Sequence, residues 1–243
     1  MLLYYLLRSV FLLLCLSTLA NQAGARDSVQ VVTENWYPYN YLDENHQVVG
    51  QSTALVKQIL NDADVDFSLA LYPWTRAMSL ASDVPNVLIY TILRTADREP
   101  DFHWICPIAP KRLHTLYRLQ QRRDIVVNSL QDVNSYSIAV TRDTFLHKFM
   151  LTQGLREGHN LQLTADDNVN ITLFLAGRVD LLAEFDDSLS RSLEASHIDR
   201  TMLTPILTLP AEAYPEYCMA MSKATPLSLV EKIRAAHHKV SAQ

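Results

Sequence analysis

The sequence predicts a two-lobed α/β protein in which each lobe is a mixed sheet flanked by helices. Short β-rich runs alternate with runs of helical period over residues 29–91, and the same alternation restarts at residue 137. Two more strand-like stretches, at 114–120 and 217–221, lie between the halves and after the second one. These stretches indicate that the chain crosses between the lobes twice.

The first half reads as alternating strands and helices. Its predicted elements are a strand at 29–33, a helix capped by Ser52 or Thr53 with Leu55, Val56, Ile59, Leu60 and Ala63 on its apolar face, a strand at 67–72, a helix at 74–81 and a strand at 87–91. This β-α-β-α-β order predicts a parallel sheet with helices on its faces.

The second half repeats the alternation and ends in a closing helix. Its predicted elements are strands at 137–141, 161–163 and 179–184, helices at 145–153 and 169–176, and a last helix that begins at Thr225-Pro226 with proline at the first helical position. We expect the last helix to fold back on the first lobe. The predicted division places residues 26–114 and 217–243 in lobe 1 and residues 115–216 in lobe 2.

The first 25 residues have the pattern of a secretory signal peptide. Arg8 precedes an apolar run at 10–16, and small residues end at Ala25. A membrane anchor is the alternative, although the run is shorter than the ~20 apolar residues of a span. We expect cleavage near Ala25, export to the periplasm and a mature chain that does not span the membrane. Cys106 and Cys218 remain after cleavage, and the sequence leaves open whether they form a disulfide.

Composition excludes several function classes. The net charge is −5 and the 21 Lys and Arg residues are scattered, so no basic stripe could hold a nucleic-acid backbone. Only five glycines are present, too far apart for a dinucleotide-binding turn or a P-loop. None of the eight histidines has metal-ligand spacing. We therefore expect no nucleic acid, cofactor or metal. A monomer is a separate expectation that the composition does not establish.

Four short motifs occur in order along the chain. They are TENWYPYNY at 33–41, PWTRA at 73–77, RTADRE at 94–99 and LAGRVD at 175–180. Together they resemble bacterial extracellular solute-binding proteins of family 3, which include the periplasmic amino-acid receptors of ABC importers. The resemblance implies a type II periplasmic-binding-protein fold, in which two lobes close on a ligand by hinge bending.

The same resemblance implies the function and its alternatives. The leading hypothesis is a non-enzymatic receptor that captures a small polar metabolite, an amino acid or related carboxylate, for an ABC permease. One alternative is an enzyme similar to exported cyclohexadienyl dehydratases, which would need a cleft carboxylate as acid or base. The other is a ligand-sensing module that docks on a membrane sensor kinase, which sequence does not separate from transport.

Ligands in open α/β sheets bind beyond the carboxyl ends of the strands, which selects the loops after Thr33, Thr91, Val140 and Glu184. The candidate ligand-binding residues in and near these loops are Glu34, Trp36, Tyr39, Trp74, Arg76, Thr91, Arg94, Arg98, Thr141, Arg142, Thr144 and Glu184. By resemblance, Arg98 matches the arginine that clasps a ligand carboxylate. Its alternative role is a surface ion pair with a neighbouring acid. The loop from Thr141 to Thr144 could bind an anion or only cap a helix.

One departure from the family pattern affects the expected ligand. Amino-acid receptors place an acid after the fifth strand of the second lobe, where it receives the ligand ammonium. Here the LAGRVD motif aligns Phe185 with that position, between Glu184 and Asp186. A shift of one residue would restore the acid. Without it, an anion or an aromatic metabolite is favoured over an amino acid.

Overall fold

The computed structural model describes residues 26–242, so the predicted signal peptide lies outside the described residues. The twelve strands of this part are β1 (Ser28–Thr33), β2 (Tyr41–Leu42), β3 (Val48–Val49), β4 (Asp66–Leu71), β5 (Val87–Leu93), β6 (Phe102–Ala109), β7 (Thr115–Leu119), β8 (Ile138–Thr141), β9 (Leu161–Thr164), β10 (Leu182–Glu184), β11 (Leu203–Thr208) and β12 (Tyr217–Ser222). Its α-helices are α1 (Gln51–Asp62), α2 (Trp74–Asp83), α3 (Phe145–Thr152), α4 (Asp167–Leu175), α5 (Asp186–Ala195) and α6 (Leu227–Ser241).

The first lobe is built on a five-stranded sheet in the order β4-β1-β5-β12-β6. Strand β1 pairs in parallel with β4 and β5, which confirms the predicted parallel β-α-β-α-β unit. Strand β12 is antiparallel to both β5 and β6, so the sheet is mixed. The last strand of the chain therefore lies inside the first lobe's sheet.

Helices cover both faces of this sheet. On one face, α1 and α6 contact each other and bury Ile59, Leu60 and Ile233 against strand residues such as Val31 and Met219. Helix α2 packs against β1, β5 and β12 in a separate apolar cluster. The prediction that the last helix folds back on the first lobe is confirmed.

The second lobe has two smaller sheets. Strand β7 lies between β10 and β11 and is antiparallel to both, while β8 and β9 form a parallel pair. A bridge between Ile138 and Leu181 connects the two sheets. Helices α4 and α5 bury Phe174, Leu189 and Leu193 against this lobe. The two-lobed fold predicted from sequence is thereby confirmed, while the residue boundaries of the lobes stay a prediction.

The two chain crossings contact each other at the base of the molecule. The backbone nitrogen of Leu209 donates to the carbonyl of His114 at 2.9 Å. Tyr214 also places its hydroxyl 2.7 Å from Nδ1 of His114. A disulfide joins Cys106 on β6 to Cys218 on β12, with the two Cα atoms 4.5 Å apart, and so answers the question that the sequence left open.

Two helix starts differ from the prediction. Helix α1 begins at Gln51 after Gly50, whose φ of 124° favours glycine, so Ser52 and Thr53 lie inside the first turn instead of capping it. Thr53 instead places its hydroxyl 2.8 Å from that of Tyr90. Pro226 occupies the N-cap of α6 and not its first helical position. Across residues 26–242, no helix combines the length and apolar character that a bilayer crossing requires.

Candidate functional site

A cleft of about 770 Å³ lies between the lobes. A smaller compartment of about 70 Å³ adjoins it on the inner side and shares Glu34, Trp36, Trp74, Thr141 and Asp167 with it. Side chains from both lobes line the cleft, so a molecule that fills it contacts both. This position agrees with the rule that ligands bind beyond the carboxyl ends of sheet strands.

Aromatic side chains form one wall of the cleft. Trp36 follows β1, is only 8% exposed, and has its ring centroid 4.5 Å from that of Tyr39 and 4.7 Å from that of Tyr217. Trp74, the first residue of α2, is also buried. Within residues 26–242, neither indole N–H of Trp36 or Trp74 has a hydrogen-bond partner. Tyr37 and Tyr72 extend the wall outward.

Arg98 enters the inner compartment from the first lobe and is 4% exposed. Its Nη1 donates to the backbone oxygen of Leu93 at 3.3 Å, and its Nη2 donates to that of Asp143, in the second lobe, at 2.8 Å. Its guanidinium carbon also lies 4.9 Å from the Trp74 ring centroid, within cation–π range. The buried position of Arg98 in the cleft therefore contradicts the alternative role, a surface ion pair with a neighbouring acid. Three of the five guanidinium donors remain for other partners.

The second lobe contributes the start of α3. Thr144 caps this helix by accepting from the backbone nitrogen of His147 at 3.1 Å, and it lines the inner compartment together with Thr141. Asp143 takes a φ of 58°, a left-handed conformation in which glycine costs less. The loop from Thr141 to Thr144 thus both caps a helix and lines the inner compartment, which fits both roles that the sequence allowed.

Thr91 supplies an irregular backbone beside the inner compartment. It has a φ of 58° and lies at the point where the register between β5 and β12 shifts, as in a β-bulge. Its hydroxyl donates to Oδ1 of Asn40 at 2.8 Å. Asn40 in turn donates to the backbone oxygen of Glu34 at 2.7 Å. The bulge therefore fixes the loop that presents Glu34 to the cleft.

Three carboxyl groups meet in the cleft. Glu34 is half-buried, and desolvation together with the charge of Asp167 raises its pKa to about 8. Desolvation also raises the pKa of Asp167, against hydrogen bonds from Thr141 Oγ1 at 2.6 Å and Asn170 Nδ2 at 3.1 Å that lower it. Glu184 is 4% exposed, and burial followed by the charge of Asp167 raises its pKa well above the usual value.

Most of the sequence-predicted site residues come together. Those that line the cleft or its inner compartment are Glu34, Trp36, Trp74, Thr91, Arg98, Thr141, Thr144 and Glu184. Their contacts with a ligand stay a prediction.

Four predicted residues lie elsewhere. Tyr39 packs behind Trp36 and does not line the cleft. Arg76 is exposed, with its guanidinium carbon 6.0 Å from the ring centroid of Tyr72, while Arg94 forms a surface ion pair with Glu99 at 2.6 Å. Arg142 lines a separate groove along β9, because the loop turns its exposed side chain away from the cleft.

Sequence reasoning missed Asp167 and Arg191. Asp167 is the first residue of α4, whereas the sequence placed the start of that helix at residue 169. Arg191 lies on α5, a helix that the sequence did not predict, and stacks its guanidinium 4.6 Å from the ring centroid of Tyr37 at the cleft mouth. The acidic pair Asp166-Asp167 was the available clue to the helix start: Asp166 is the N-cap, which accepts from the backbone nitrogen of Val169 at 3.1 Å, and acids are enriched in first turns.

Two α/β lobes, two crossings and a ligand-sized cleft between them define the class of two-lobed solute-binding folds. No protein-family model matches the chain, and no curated protein matches its sequence. Comparison of structures places it among periplasmic-binding-protein-like structures. A histidine kinase sensor domain with similarity to periplasmic binding proteins is 17% identical, with a TM-score of 0.76 over 89% of this chain and 91% of that one.

Two amino-acid-binding proteins are similarly close. The substrate-binding protein AbpA of an amino acid ABC transporter from Streptococcus pneumoniae, bound to L-arginine, is 17% identical, with a TM-score of 0.71 over 88% of this chain and 89% of that one. The arginine-, lysine-, histidine-binding protein ArtJ from Geobacillus stearothermophilus is 19% identical, with a TM-score of 0.71 over 89% and 90%. At these identities the likeness establishes the fold, as the motifs implied.

Proposed function

We propose that this protein is an exported, non-enzymatic solute-binding protein that captures a small amino-acid-type metabolite between its lobes in the periplasm and presents it to an ABC permease. The observation that carries the proposal is the pair of adjoining cavities between the lobes: Arg98 of the first lobe and Asp167 of the second line the inner compartment, and Glu184 of the second lobe lines the cleft. An α-amino acid needs both a cationic partner for its carboxylate and an acidic partner for its ammonium.

The structure suggests how each end of such a ligand would be held. Arg98 keeps free N–H donors in the inner compartment, and the first backbone N–H groups of α3 at Phe145 and Leu146 have no partner within their own helix. A ligand carboxylate in this compartment would receive hydrogen bonds from both lobes. Glu184 would accept from the ammonium, even though Phe185 occupies the position where the family pattern places the acid.

Ligand binding stabilises the closed arrangement only through contacts that exist when the lobes are together. Arg98 and Trp74 belong to the first lobe, and Glu184, Asp167 and Thr144 to the second. A ligand that touches both sets therefore shifts the equilibrium toward closure, and the closed surface is what a permease would recognise.

The test is identification of the bound metabolite. The mature protein should be purified from its native periplasm and the co-purifying small molecules identified by mass spectrometry. A thermal-shift screen of the twenty amino acids should follow, because a ligand at ~100 times its Kd adds about 2.7 kcal/mol of stability. If no amino acid co-purifies or raises the melting temperature, the proposal fails. Turnover of prephenate or arogenate would instead reveal an enzyme.

A sensing role is the second candidate, favoured by the match to the histidine kinase sensor domain. Both roles need the same closing cleft, so binding measurements alone do not separate them. A permease and an ATPase encoded beside the gene, with loss of uptake on its deletion, would support import. A neighbouring histidine kinase, with ligand-dependent phosphorylation that requires this protein, would support sensing.

A further inference from the structure

His147 is a buried residue of the second lobe to which the proposed function gives no role. It lies in the first turn of α3, is 6% exposed, and has a hydrogen-bond partner on each ring nitrogen. The backbone nitrogen of Asp143 donates to Nδ1 at 3.2 Å, and Nε2 lies 3.1 Å from Oε1 of Glu157. These two contacts determine where the ring carries its proton.

The structure requires a neutral imidazole at His147. A backbone N–H only donates, so Nδ1 accepts from Asp143 and carries no proton. The ionised carboxylate of Glu157 only accepts, so Nε2 carries the proton and donates to it. A second proton on Nδ1 would point at the N–H of Asp143 and break that hydrogen bond.

The local sequence places the imidazole here through a variant of the helix capping box. Thr144 is the N-cap of α3 and accepts from the backbone nitrogen of His147, the third helical residue, at 3.1 Å. In the usual capping box, glutamate or glutamine occupies this third position and accepts a backbone N–H in return. Here histidine accepts from Asp143, one residue before the N-cap. The return bond therefore depends on a side-chain type whose charge changes between about pH 5 and 8.

Asp143 takes a backbone conformation that needs support from its neighbours. Its φ of 58° lies in the left-handed region, which is unfavourable for a residue with a side chain. His147 holds its N–H, and Oγ1 of Thr144 donates to the carbonyl of Thr141 at 2.8 Å on the other side of the turn. The bond to the imidazole is thus one of two side-chain contacts that hold the turn.

The carbonyl of Asp143 is the point where this turn meets the first lobe. Nη2 of Arg98 donates to it at 2.8 Å. The direction of that carbonyl depends on the backbone dihedral angles of Asp143, which the imidazole helps to fix. Three successive hydrogen bonds therefore connect Glu157, which lines the outer groove along β9, through His147 and Asp143 to Arg98 in the cleft.

We propose that neutral His147 is a positioning residue for closure: it holds Asp143 in the orientation that accepts from Arg98, and its protonation in mild acid releases this link and favours the open protein. The inference rests on the proposed function, because closure is the step that captures a ligand. It adds control of that step by the proton concentration.

The charged groups near His147 come from several segments. In the part of the chain that the structure describes, the ring nitrogens contact only the backbone of Asp143 and the carboxylate of Glu157. Lys148, the next residue of α3, pairs with Asp97 of the first lobe. The remaining charged residues of the adjoining segments are Arg142 and Asp143 before α3, Arg156 after it, and Arg98 of the first lobe. All of them are unchanged in the substitutions that test the proposal.

The carboxyl groups of the cleft respond to pH in the opposite sense. Desolvation and the charge of Asp167 raise the pKa of Glu34 to about 8, so Glu34 becomes charged as the pH rises. Repulsion among the cleft carboxylates therefore favours opening at high pH, whereas release through His147 acts at low pH. Comparison of the parent and a His147 variant at the same pH removes the contribution of the cleft.

The test is small-angle X-ray scattering of the unliganded mature protein at about pH 8 and about pH 5, because the radius of gyration increases as the lobes separate. His147→Asn keeps an acceptor oxygen at the place of Nδ1 and does not titrate. At about pH 8 this variant and the parent should have the same radius. At about pH 5 the ratio of open to closed molecules should be about tenfold higher in the parent, because it loses a hydrogen bond from a charged donor. Equal radii at about pH 5 would overturn the inference.

Two further variants separate positioning from packing. His147→Leu removes the acceptor but keeps an apolar side chain, and at about pH 8 it should be more open than His147→Asn. His159→Asn makes the same change at an exposed histidine of the second lobe and should keep the pH response of the parent. A closed His147→Leu protein, or loss of the pH response in His159→Asn, would contradict the role of His147.

Nuclear magnetic resonance of protein labelled with ¹⁵N-histidine gives an answer even if His147→Leu fails to fold. The imidazole resonances that are missing from His147→Asn belong to His147. In the parent at about pH 8 they should report a proton on Nε2 and none on Nδ1, and a proton on Nδ1 would overturn the inference. None of these measurements uses a ligand, so failure of the amino-acid screen rejects the proposed function and leaves their result unchanged.

Discussion

Arg98 of the first lobe donates from Nη2 to the backbone oxygen of Asp143 in the second lobe, with the two atoms 2.8 Å apart. The arginine that the sequence selected for ligand binding is thus also a direct link between the lobes. Because Asp143 adjoins Thr144 at the start of α3, this link holds the candidate anion-binding loop against the inner compartment. The arginine proposed to bind the ligand therefore also makes a contact that exists only when the lobes are together.

Arg98→Ala should weaken ligand binding by about 2–5 kcal/mol, because it removes both the partner of the ligand carboxylate and the interlobe bond. Arg98→Lys should recover only part of this loss, since an ammonium lacks the planar donor fork. Calorimetry with the identified ligand measures both variants. Unchanged affinity in Arg98→Ala would exclude this residue from the site.

Lys148 of the second lobe and Asp97 of the first form an ion pair outside the cleft, in which both side chains are about half exposed. In a double-mutant cycle of Lys148→Ala and Asp97→Ala, measured on ligand affinity, we expect an interaction energy of about 0.2–1 kcal/mol between the two residues. This interaction energy should disappear at high salt. Glu99→Ala is the control, because the ion pair of Glu99 with Arg94 lies within the first lobe and has similar exposure. A coupling of zero at low salt would show that this pair does not assist closure.

The unliganded protein should lose stability as pH rises from about 5 to 8. Glu34 is surrounded by Asp167, Glu184, Tyr217 and Arg98, and its pKa of about 8 exceeds the 4.5 of an ordinary glutamate. The folded state therefore holds this proton more tightly than the unfolded state, so stability is greatest at low pH and falls as pH rises through the folded-state pKa.

Urea unfolding at several pH values measures this effect. Glu34→Gln should raise stability at pH 8 by roughly 1–3 kcal/mol and flatten the slope between pH 5 and 8. The exposed Glu194→Gln should leave that slope as it is. The assignment to Glu34 is wrong if the slope persists unchanged in Glu34→Gln.

The disulfide between Cys106 and Cys218 closes a loop with a sequence separation of 112 residues. Replacement of both cysteines by serine should lower the free energy of unfolding by about 2–4 kcal/mol, mainly because the unfolded chain regains freedom. Urea unfolding with and without reductant provides the measurement, and reductant should have no effect on the double variant. A reductant-insensitive parent protein would contradict the bond.

The sequence predicted the first lobe well where hydrophobic periodicity was strong. Strands β1, β4 and β5 and the helices between them fall within a few residues of their predicted positions. It missed β6 and β11 because Pro107 and Pro205 interrupt their strand patterns. Helix α5 was missed because it buries little more than Leu189 and Leu193 on an otherwise polar surface.

The site was predictable only in part, because some of its residues come together only through packing between segments that are distant in sequence. Trp36 and Arg98 lie in short motifs, and motifs of this kind can be recognised in a single sequence. Asp167 became visible only when the lobes came together, since its proximity to Glu34 depends on packing between segments more than a hundred residues apart. Arg142, in contrast, shares a loop with true cleft residues and still faces a different groove.

The position of β12 between β5 and β6 has a consequence for the order of assembly. The sheet of the first lobe lacks an inner strand until residues 217–222 have been synthesised, although β1 is made at the opposite end of the chain. A nascent polypeptide that emerges progressively cannot complete this lobe early. The first lobe therefore becomes complete only after the whole of residues 115–216 has been synthesised.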